Sequence, residues 1–352
     1  MDKRGTLVFG PAYQDVVVEI AAPLAAVSLD QSLPALARTP RDDGRITLTG
    51  PAGDHLVFHL PSEGGGESAH FTLAEPVLAR LGFVQAVTGD YTITRLITQP
   101  GGMGAGYALA LGGTLRAPFG DAPGDVGLHV MTALILHGVV VSPCLLPDCA
   151  SDTSLVILST AGDKLAVGVR QALTRWQVSA EDRTLARNAD ALVFCGAPNA
   201  LMAAILAEPT EAPVLCAPAM RNIRDRQVPL ADLAEQIGYL TLNALEWAHL
   251  EGQERLRAAV PIITVTDGAR GSRLLLGDRE LCIPATRRDG PVNVNRAGET
   301  YGATVFSLLR QAHPDFHRCG VTPELAEWAV HRASEQAARQ LDIASFGFPN
   351  PR

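Results

Sequence analysis

ADALVFCGAPNALMAAILAEPTEAPVLCAP, residues 189–218, sets two short apolar runs on either side of an apolar segment of helix length. Each run has the length of a strand and almost no charge, so it reads as a strand covered on both faces. The segment between them reads as the helix that crosses from one strand to the next. The alternation continues downstream in IGYLTLN (237–243), ALEWAHLEG (244–252), VPIITVTDG (260–268) and SRLLLGD (272–278). Upstream it appears in GYALALGG (106–113), TLRAPFG (114–120), VGLHVMTALILHG (126–138) and SLVILST (154–160). Units of this kind belong to an α/β fold, with a mainly parallel sheet between two helical layers. LAEWAVHRASEQAARQL (325–341), apolar at helical spacing, adds a late helix.

Before Gly101 the texture differs. TLVF (6–9), Gly10 and DVVVEI (15–20) read as a strand, a break and a second strand. ITLT (46–49) and HLVFHL (55–60) around GPAGD form a hairpin signature, PSEGGGES (61–68) a joint, and YTITRLIT (91–98) a strand expected to end before Pro100. The expected division is a core over 1–20 and 100–352 and a β-rich insert over 21–99.

The 352 residues are 47% hydrophobic, ample for a core. Lys and Arg number 29 against 37 Asp and Glu, a net charge of −8 with no basic stripe, which argues against a nucleic-acid partner. The longest apolar run, Val130 to Val141, contains His137 and is too short to cross a bilayer. MDKRGTLVFG runs directly into strand-like sequence without a signal-peptide layout, so the expectation is a soluble cytoplasmic protein. None of the six cysteines forms a CxxC pair, so neither a disulfide framework nor a zinc site is indicated. His313, His317 and Cys319 have ligand-like spacing, but Pro314 among them marks a loop. His55 and His59 share a strand face and fit the lining of a hairpin.

Four local signals bear on chemistry, and each also has a structural explanation. PGGMGAGYALALGG (100–113) places glycines after a strand and before a helix, where backbone approaches a ligand or packs tightly. Its dinucleotide fingerprint is incomplete, because Tyr107 holds the place of the third small residue. In LNALEW (242–247), Asn243 and Glu246 suit either a hydrated Mg2+ with phosphate oxygens or a capping box. TVTDGARGSRLLL (264–276) reads as a strand, a glycine-bounded turn and a strand, as any hairpin does. In NVNRAGETYGATVFSLL (293–309), Glu299 precedes an apolar helix, where it suits a proton acceptor beside an anion hole or an ordinary acidic first turn.

These signals in this order, with GPAYQD at 10–15, resemble the PfkB (ribokinase-like) carbohydrate kinase family over all but roughly residues 21–99. The resemblance implies a three-layer α/β/α core with a β-rich lid over 21–99, enlarged here, and a homodimer formed through that lid. It implies ATP and Mg2+ as cofactors and a small sugar, polyol or nucleoside as acceptor. Gly10 and Asp15 match the family's Gly and hydroxyl-binding Asp, and Gly101 and Gly102 its di-glycine motif. Asn243 and Glu246 match the N-x-x-E motif that places Mg2+ and phosphate, while Thr266, Gly268 and Gly271 lie on the turn beside the nucleotide. The late signature implies that the amides of Ala297, Gly298 and Glu299 hold the moving phosphoryl group and that Glu299 is the base.

The departures from the family pattern matter. Glu299 stands for an Asp, one methylene longer. Arg296 stands for the first glycine of the anion hole, which implies a crowded hole or a fixed charge for the phosphoryl group in transit. Asn293 stands for an acid linked to a monovalent cation, and Gly106 for a sugar-contacting Asn, so the acceptor is expected to be unusual. A non-catalytic sugar or nucleotide sensor is the competing expectation. A nicotinamide-dependent oxidoreductase, resting on the glycines of 102–106, ranks last.

Overall fold

The computed structural model describes residues 5–20, 28–29, 46–49, 55–59, 69–72, 85–87, 93–121, 125–159, 164–286 and 296–341. The expectations placed on 61–68, on Asn293 and on most of 21–92 lie outside the described residues. In chain order the strands are β1 (Thr6–Phe9), β2 (Tyr13–Ile20), β3 (Ser28–Leu29), β4 (Ile46–Thr49), β5 (His55–His59), β6 (Ala69–Thr72), β7 (Gln85–Val87), β8 (Ile93–Gly101) and β9 (Thr114–Gly120). There follow β10 (Val140–Leu146), β11 (Thr153–Ser159), β12 (Lys164–Val169), β13 (Ala191–Cys195), β14 (Val214–Ala217), β15 (Tyr239–Asn243), β16 (Ile262–Thr266), β17 (Ser272–Leu276) and β18 (Arg279–Ile283). The described α-helices are α1 (Met103–Leu111), α2 (Gly127–Leu136), α3 (Ala172–Arg175), α4 (Ala180–Arg187), α5 (Asn199–Leu206), α6 (Met220–Ile223), α7 (Ala244–His249), α8 (Gln253–Ala259), α9 (Ala297–Ala312), α10 (Phe316–Cys319) and α11 (Pro323–Gln340).

Nine strands form the main sheet in the order β10, β9, β1, β13, β14, β15, β16, β17, β18. Neighbours run parallel from β10 to β16, and the β16–β17 and β17–β18 pairs are antiparallel. Every residue of β1, β13 and β14 is buried, as the uncharged runs around 189–218 require of central strands. Side chains alternate between two cores. Val8 joins Leu115, Phe119, Val305, Phe306 and Val330 under α1, α2, α9 and α11. Leu7 and Phe9 join Phe194, Leu201, Ile205, Trp247 and Leu256 under α5, α7 and α8. The three layers expected of an α/β/α core are thus present.

A second sheet, ordered β6, β12, β11, β2, β8, and a third, ordered β3, β5, β4, β7, take up the remaining strands. The hairpin expected over 46–60 pairs Ile46 with Phe58 and Thr49 with His55. One boundary differs from expectation: β8 runs on through Pro100 to Gly101, with Pro100 opposite Gln14. It can do so because β8 is an edge strand, whose outer side needs no ladder N–H from proline. The stretch around Pro314 also differs slightly, since Phe316–Cys319 closes into one short helix.

A buried charge fixes one side of the main sheet. Arg116 of β9 is 2% exposed and donates to Asp182 at 2.6 Å, to Glu181 at 2.8 Å and to the Pro143 carbonyl at 2.8 Å, so α4 is tied to β9 and β10. Removing one partner of such a pair strands a charge at a cost of about 3–5 kcal/mol. No helix among the described residues is long and apolar enough to cross a membrane.

Candidate active site

From β1 the chain reaches β9 on one side and later β13 on the other, and α1, which leads into β9, and α5, which follows β13, lie on opposite faces. Such a reversal opens a crevice beyond the carboxyl ends of the strands, the usual ligand position in sheets of this kind. Glycine lets the backbones converge there. A Cβ on Gly10 would lie 2.6 Å from the Cys195 carbonyl and 2.8 Å from the Gly104 Cα, so β1, β13 and α1 meet at a point no larger residue fits. Gly102, at φ 107, turns the chain into α1, and the Gly104 amide donates to the Pro11 carbonyl at 3.0 Å.

On the β2 side, Tyr13 lies opposite Gly101 and Asp15 opposite Gln99. A Cβ at Gly101 would fall on the Asp15 carboxylate, so Asp15 and the di-glycine come together. Gly106, one turn into α1, faces α9. A Cβ there would lie 3.1 Å from Cγ and 3.3 Å from Cβ of Glu299. The extra methylene of Glu299 therefore occupies room that glycine at 106 leaves.

Glu299 sits in the first turn of α9, whose N-cap is Arg296 at φ 62, ψ 9. That left-handed geometry is glycine's, and arginine adopts it at a cost of about 1–2 kcal/mol. Amides in a first turn have no intrahelical acceptor. Thr300 is the first residue of the turn whose N–H bonds back, to the Arg296 carbonyl at 2.9 Å, leaving those of Ala297, Gly298 and Glu299 available to an anion. Burial lowers the pKa of Arg296, and the Glu299 charge pulls it back up, so the two side chains feel each other.

Asn243 and Glu246 lie where β15 enters α7. The Asn243 side chain accepts from the Glu246 N–H at 2.8 Å, and the Asn243 N–H donates to Glu246 Oε2 at 2.9 Å, a complete capping box. Burial pushes the Glu246 carboxyl up to about 7, opposed by the Asn243 hydrogen bond and reinforced by the charge of Glu299. Two carboxylates that repel each other across a crevice suit a divalent cation. Among the described residues no group of three or more His, Cys, Asp or Glu could hold a metal ion by itself. Thr266 pairs in register with Asn243, and its hydroxyl donates to the Leu242 carbonyl at 3.4 Å. In the following turn a Cβ on Gly271 would strike the Ile283 carbonyl, so that glycine is required by the β17–β18 hairpin itself, and exposed Gly268 meets nothing. Tyr301 of α9 donates to Ser272 at 2.9 Å, which ties this hairpin to the helix that carries Glu299.

No protein-family model and no curated protein matches the chain. Solved structures do match. The ribokinase of Giardia lamblia aligns with a TM-score of 0.68 at 12% identity, covering 100% of this chain and 96% of that one. A carbohydrate kinase from Agrobacterium tumefaciens gives 0.60 at 17% identity over 99% and 94%. The Burkholderia thailandensis nucleoside kinase in complex with inosine gives 0.58 at 14% over 99% and 93%. The chain has the ribokinase-like fold.

Within the ribokinase-like fold, the sequence reading left several crevice residues unnamed. The Arg170 guanidinium lies over the Tyr13 ring at 4.0 Å and donates to the Thr153 carbonyl at 2.6 Å. Asp152 is 1% exposed and accepts from the Leu173 N–H at 3.3 Å, and burial pushes its carboxyl up to about 6. Arg221 follows β14, and a Cβ on Gly196 would lie 3.1 Å from its Nη2. The available signal was position: each is near the carboxyl end of a strand or in the sheet that carries Asp15. A separate cavity of about 390 Å3 opens at the opposite, amino-terminal edge of β13 and β14, where Arg183 and Arg187 already pair with Glu208.

Proposed function

We propose that this chain is an ATP-dependent kinase that transfers the γ-phosphoryl group to a hydroxyl of a small sugar, polyol or nucleoside. The observation that carries the reading is the mouth of α9, where a carboxylate and unbonded backbone N–H groups sit together at the sheet's reversal point. Asp15 orients acceptor hydroxyls, and Glu299 takes the proton of the reacting one. The acceptor oxygen bonds to the γ-phosphorus as the bridging bond to the β-phosphate breaks, and ADP leaves with the electron pair. The amides of Ala297, Gly298 and Glu299 hold the transferring group, which needs donors aimed where charge develops. Asn243 and Glu246 would hold Mg2+ through water, and a bound Mg2+ neutralises charge on the phosphate oxygens. Thr266, Gly268 and Gly271 border the nucleotide. Residues 21–99 serve as the lid that excludes water and as the dimer contact.

The test is ADP release over a panel of sugars, polyols and nucleosides, with acceptor-free controls. Glu299→Gln keeps the size of the side chain and removes the base. The expected result is a fall in kcat of about 10²–10⁴-fold with ATP binding retained. Wild-type turnover in that variant removes Glu299 from the mechanism, and nucleotide binding without turnover on any acceptor favours a sensor.

A further inference from the structure

Arg116 and Arg221 pose a contrast within one chain. Arg116 is sealed in the fold with every direction of its fork answered by carboxylates and carbonyls. Arg221 is solvent-accessible, and among the described residues it forms no hydrogen bond and no salt bridge. Its Nη2 lies beside Gly196, itself at φ 58, and Met103 Sδ lies 3.3 Å from the point a Cβ on that glycine would occupy.

Charges of both signs surround Arg221. Burial lowers the Arg221 pKa to about 10, still charged at neutral pH, and the second contribution to that lowering is repulsion from Arg170. Asp152, Tyr13 and Cys195 pull the other way. Asp152 does not close on Arg221: one oxygen accepts from Leu173, and Oδ2 has no hydrogen-bond partner. A guanidinium offers five donors in a fixed fork, and on an exposed side chain water meets them, so the Arg221 fork is open to an anion that enters beside it.

Direction follows from the neighbours. Tyr13 shares β2 with Asp15, Asp152 directly precedes β11, and Gly196 and Met103 border the point where β1, β13 and α1 converge. The side chain thus faces the end of the crevice assigned to the acceptor. Resting on the kinase reading above, we infer that Arg221, flanked by Arg170, binds an anionic group of the phosphoryl acceptor, so that the acceptor is a sugar acid or a sugar monophosphate in preference to a neutral sugar.

The experiment compares matched pairs, gluconate with glucose and ribose 5-phosphate with ribose, in wild type, Arg221→Gln and Arg221→Lys. Two readouts are taken: kcat/KM from ADP release, and the ligand-induced rise in Tm, which needs no turnover. In wild type the anionic member of at least one pair is expected to lead by about 100-fold in kcat/KM, the scale of a charge-assisted fork. In Arg221→Gln that preference collapses to within about threefold through KM, and Arg221→Lys restores part of it, since lysine keeps the charge without the fork. The two pairs separate carboxylate from phosphate as the group recognised. A rise in the KM for ATP with the preference intact assigns Arg221 to the triphosphate and overturns the inference. Equal use of neutral and anionic acceptors overturns it as well. If no acceptor releases ADP, the kinase reading fails, and the inference about Arg221 is still decided by Tm: an anion-induced shift lost in Arg221→Gln supports an anion site, and a shift unchanged by the substitution, or absent from wild type, removes it.

Discussion

The two ends of the crevice, which the proposed function assigns to nucleotide and to acceptor, are built on different principles. At the nucleotide end, Asn243 and Glu246 answer each other's backbone, and Arg270 closes on Asp267 through two bonds of 2.7 Å. At the acceptor end, Asp152 is buried with an oxygen unbonded, and Arg221 stands beside Arg170 without a hydrogen bond of its own. The first end is complete without a ligand, because its groups double as caps and turns. The second leaves an exposed guanidinium and a buried carboxylate oxygen without protein partners, groups that the inference above assigns to a ligand. A preformed end tolerates substitution until its fold is lost, whereas an open end should respond to small changes of charge or position.

Glu299 lies where the two ends meet, and the largest effect in the comparison is expected at its contact with Gly106. In Gly106→Ala the new Cβ would sit 3.1 Å from Glu299 Cγ, so the carboxylate must move by a few tenths of an ångström. Reacting groups tolerate little displacement, since 1 Å costs about 100-fold, so kcat should fall about tenfold with Tm nearly unchanged. Glu299→Asp withdraws the crowded methylene. Its cost should therefore be smaller in the Gly106→Ala background than in the parent chain, a coupling read from the four kcat/KM values of the double-mutant cycle. Additive losses would separate the two residues.

A middle-sized effect separates the ends by pH. The Glu246 carboxyl rises through burial from 4.5 to about 7, and that of Asp152 rises, also through burial, from 3.8 to about 6. A carboxyl with a raised folded pKa binds its proton more tightly in the folded chain than in the unfolded one. Stability is then highest below the unfolded value and falls as pH rises, until the folded group has ionised. Wild type should thus lose Tm from about pH 4 to about pH 7. Asp152→Asn should flatten the lower part of that slope, and Glu246→Gln the upper part. Added Mg2+ should weaken the upper part in wild type, because a cation favours the carboxylate, and leave Glu246→Gln unaffected.

The sequence carried the sheet and the nucleotide end further than the acceptor end, for a physical reason. Strands buried on both faces must be apolar, so β13, β14, β15 and β16 were visible as uncharged runs. Asn243 and Glu246 make contacts three residues apart, and local spacing reports local contacts. Arg170 and Arg221 lie 51 positions apart by number, and each lies far from Tyr13 and Asp152 in the chain or in a different sheet. Their proximity is a product of topology alone. The pairing of Gly106 with Glu299 is hidden for the same cause: in the sequence each stands as a separate departure, and only the packing of α1 on α9 shows that the smaller residue makes room for the longer one. Pro100 reads as a strand end because the edge position that accommodates it is a property of the sheet, not of its neighbours in sequence.

The smallest effect tests whether the nucleotide end does anything beyond capping. Asn243→Ala removes the side-chain acceptor for the Glu246 N–H and should cost about 1 kcal/mol, whatever the motif's role. Asn243→Ser is the informative variant, because serine is as good a cap and should hold Tm within a few tenths of a kcal/mol. Serine does not reproduce the amide N–H2 that asparagine offers outward while its oxygen caps the helix. If that amide helps to place phosphate or the water around Mg2+, the KM for ATP should rise severalfold in Asn243→Ser at unchanged stability, with acceptor KM unmoved. Equal KM values in parent and variant would make the box a cap alone, and nucleotide placement would then fall to Glu246 and the first turn of α9.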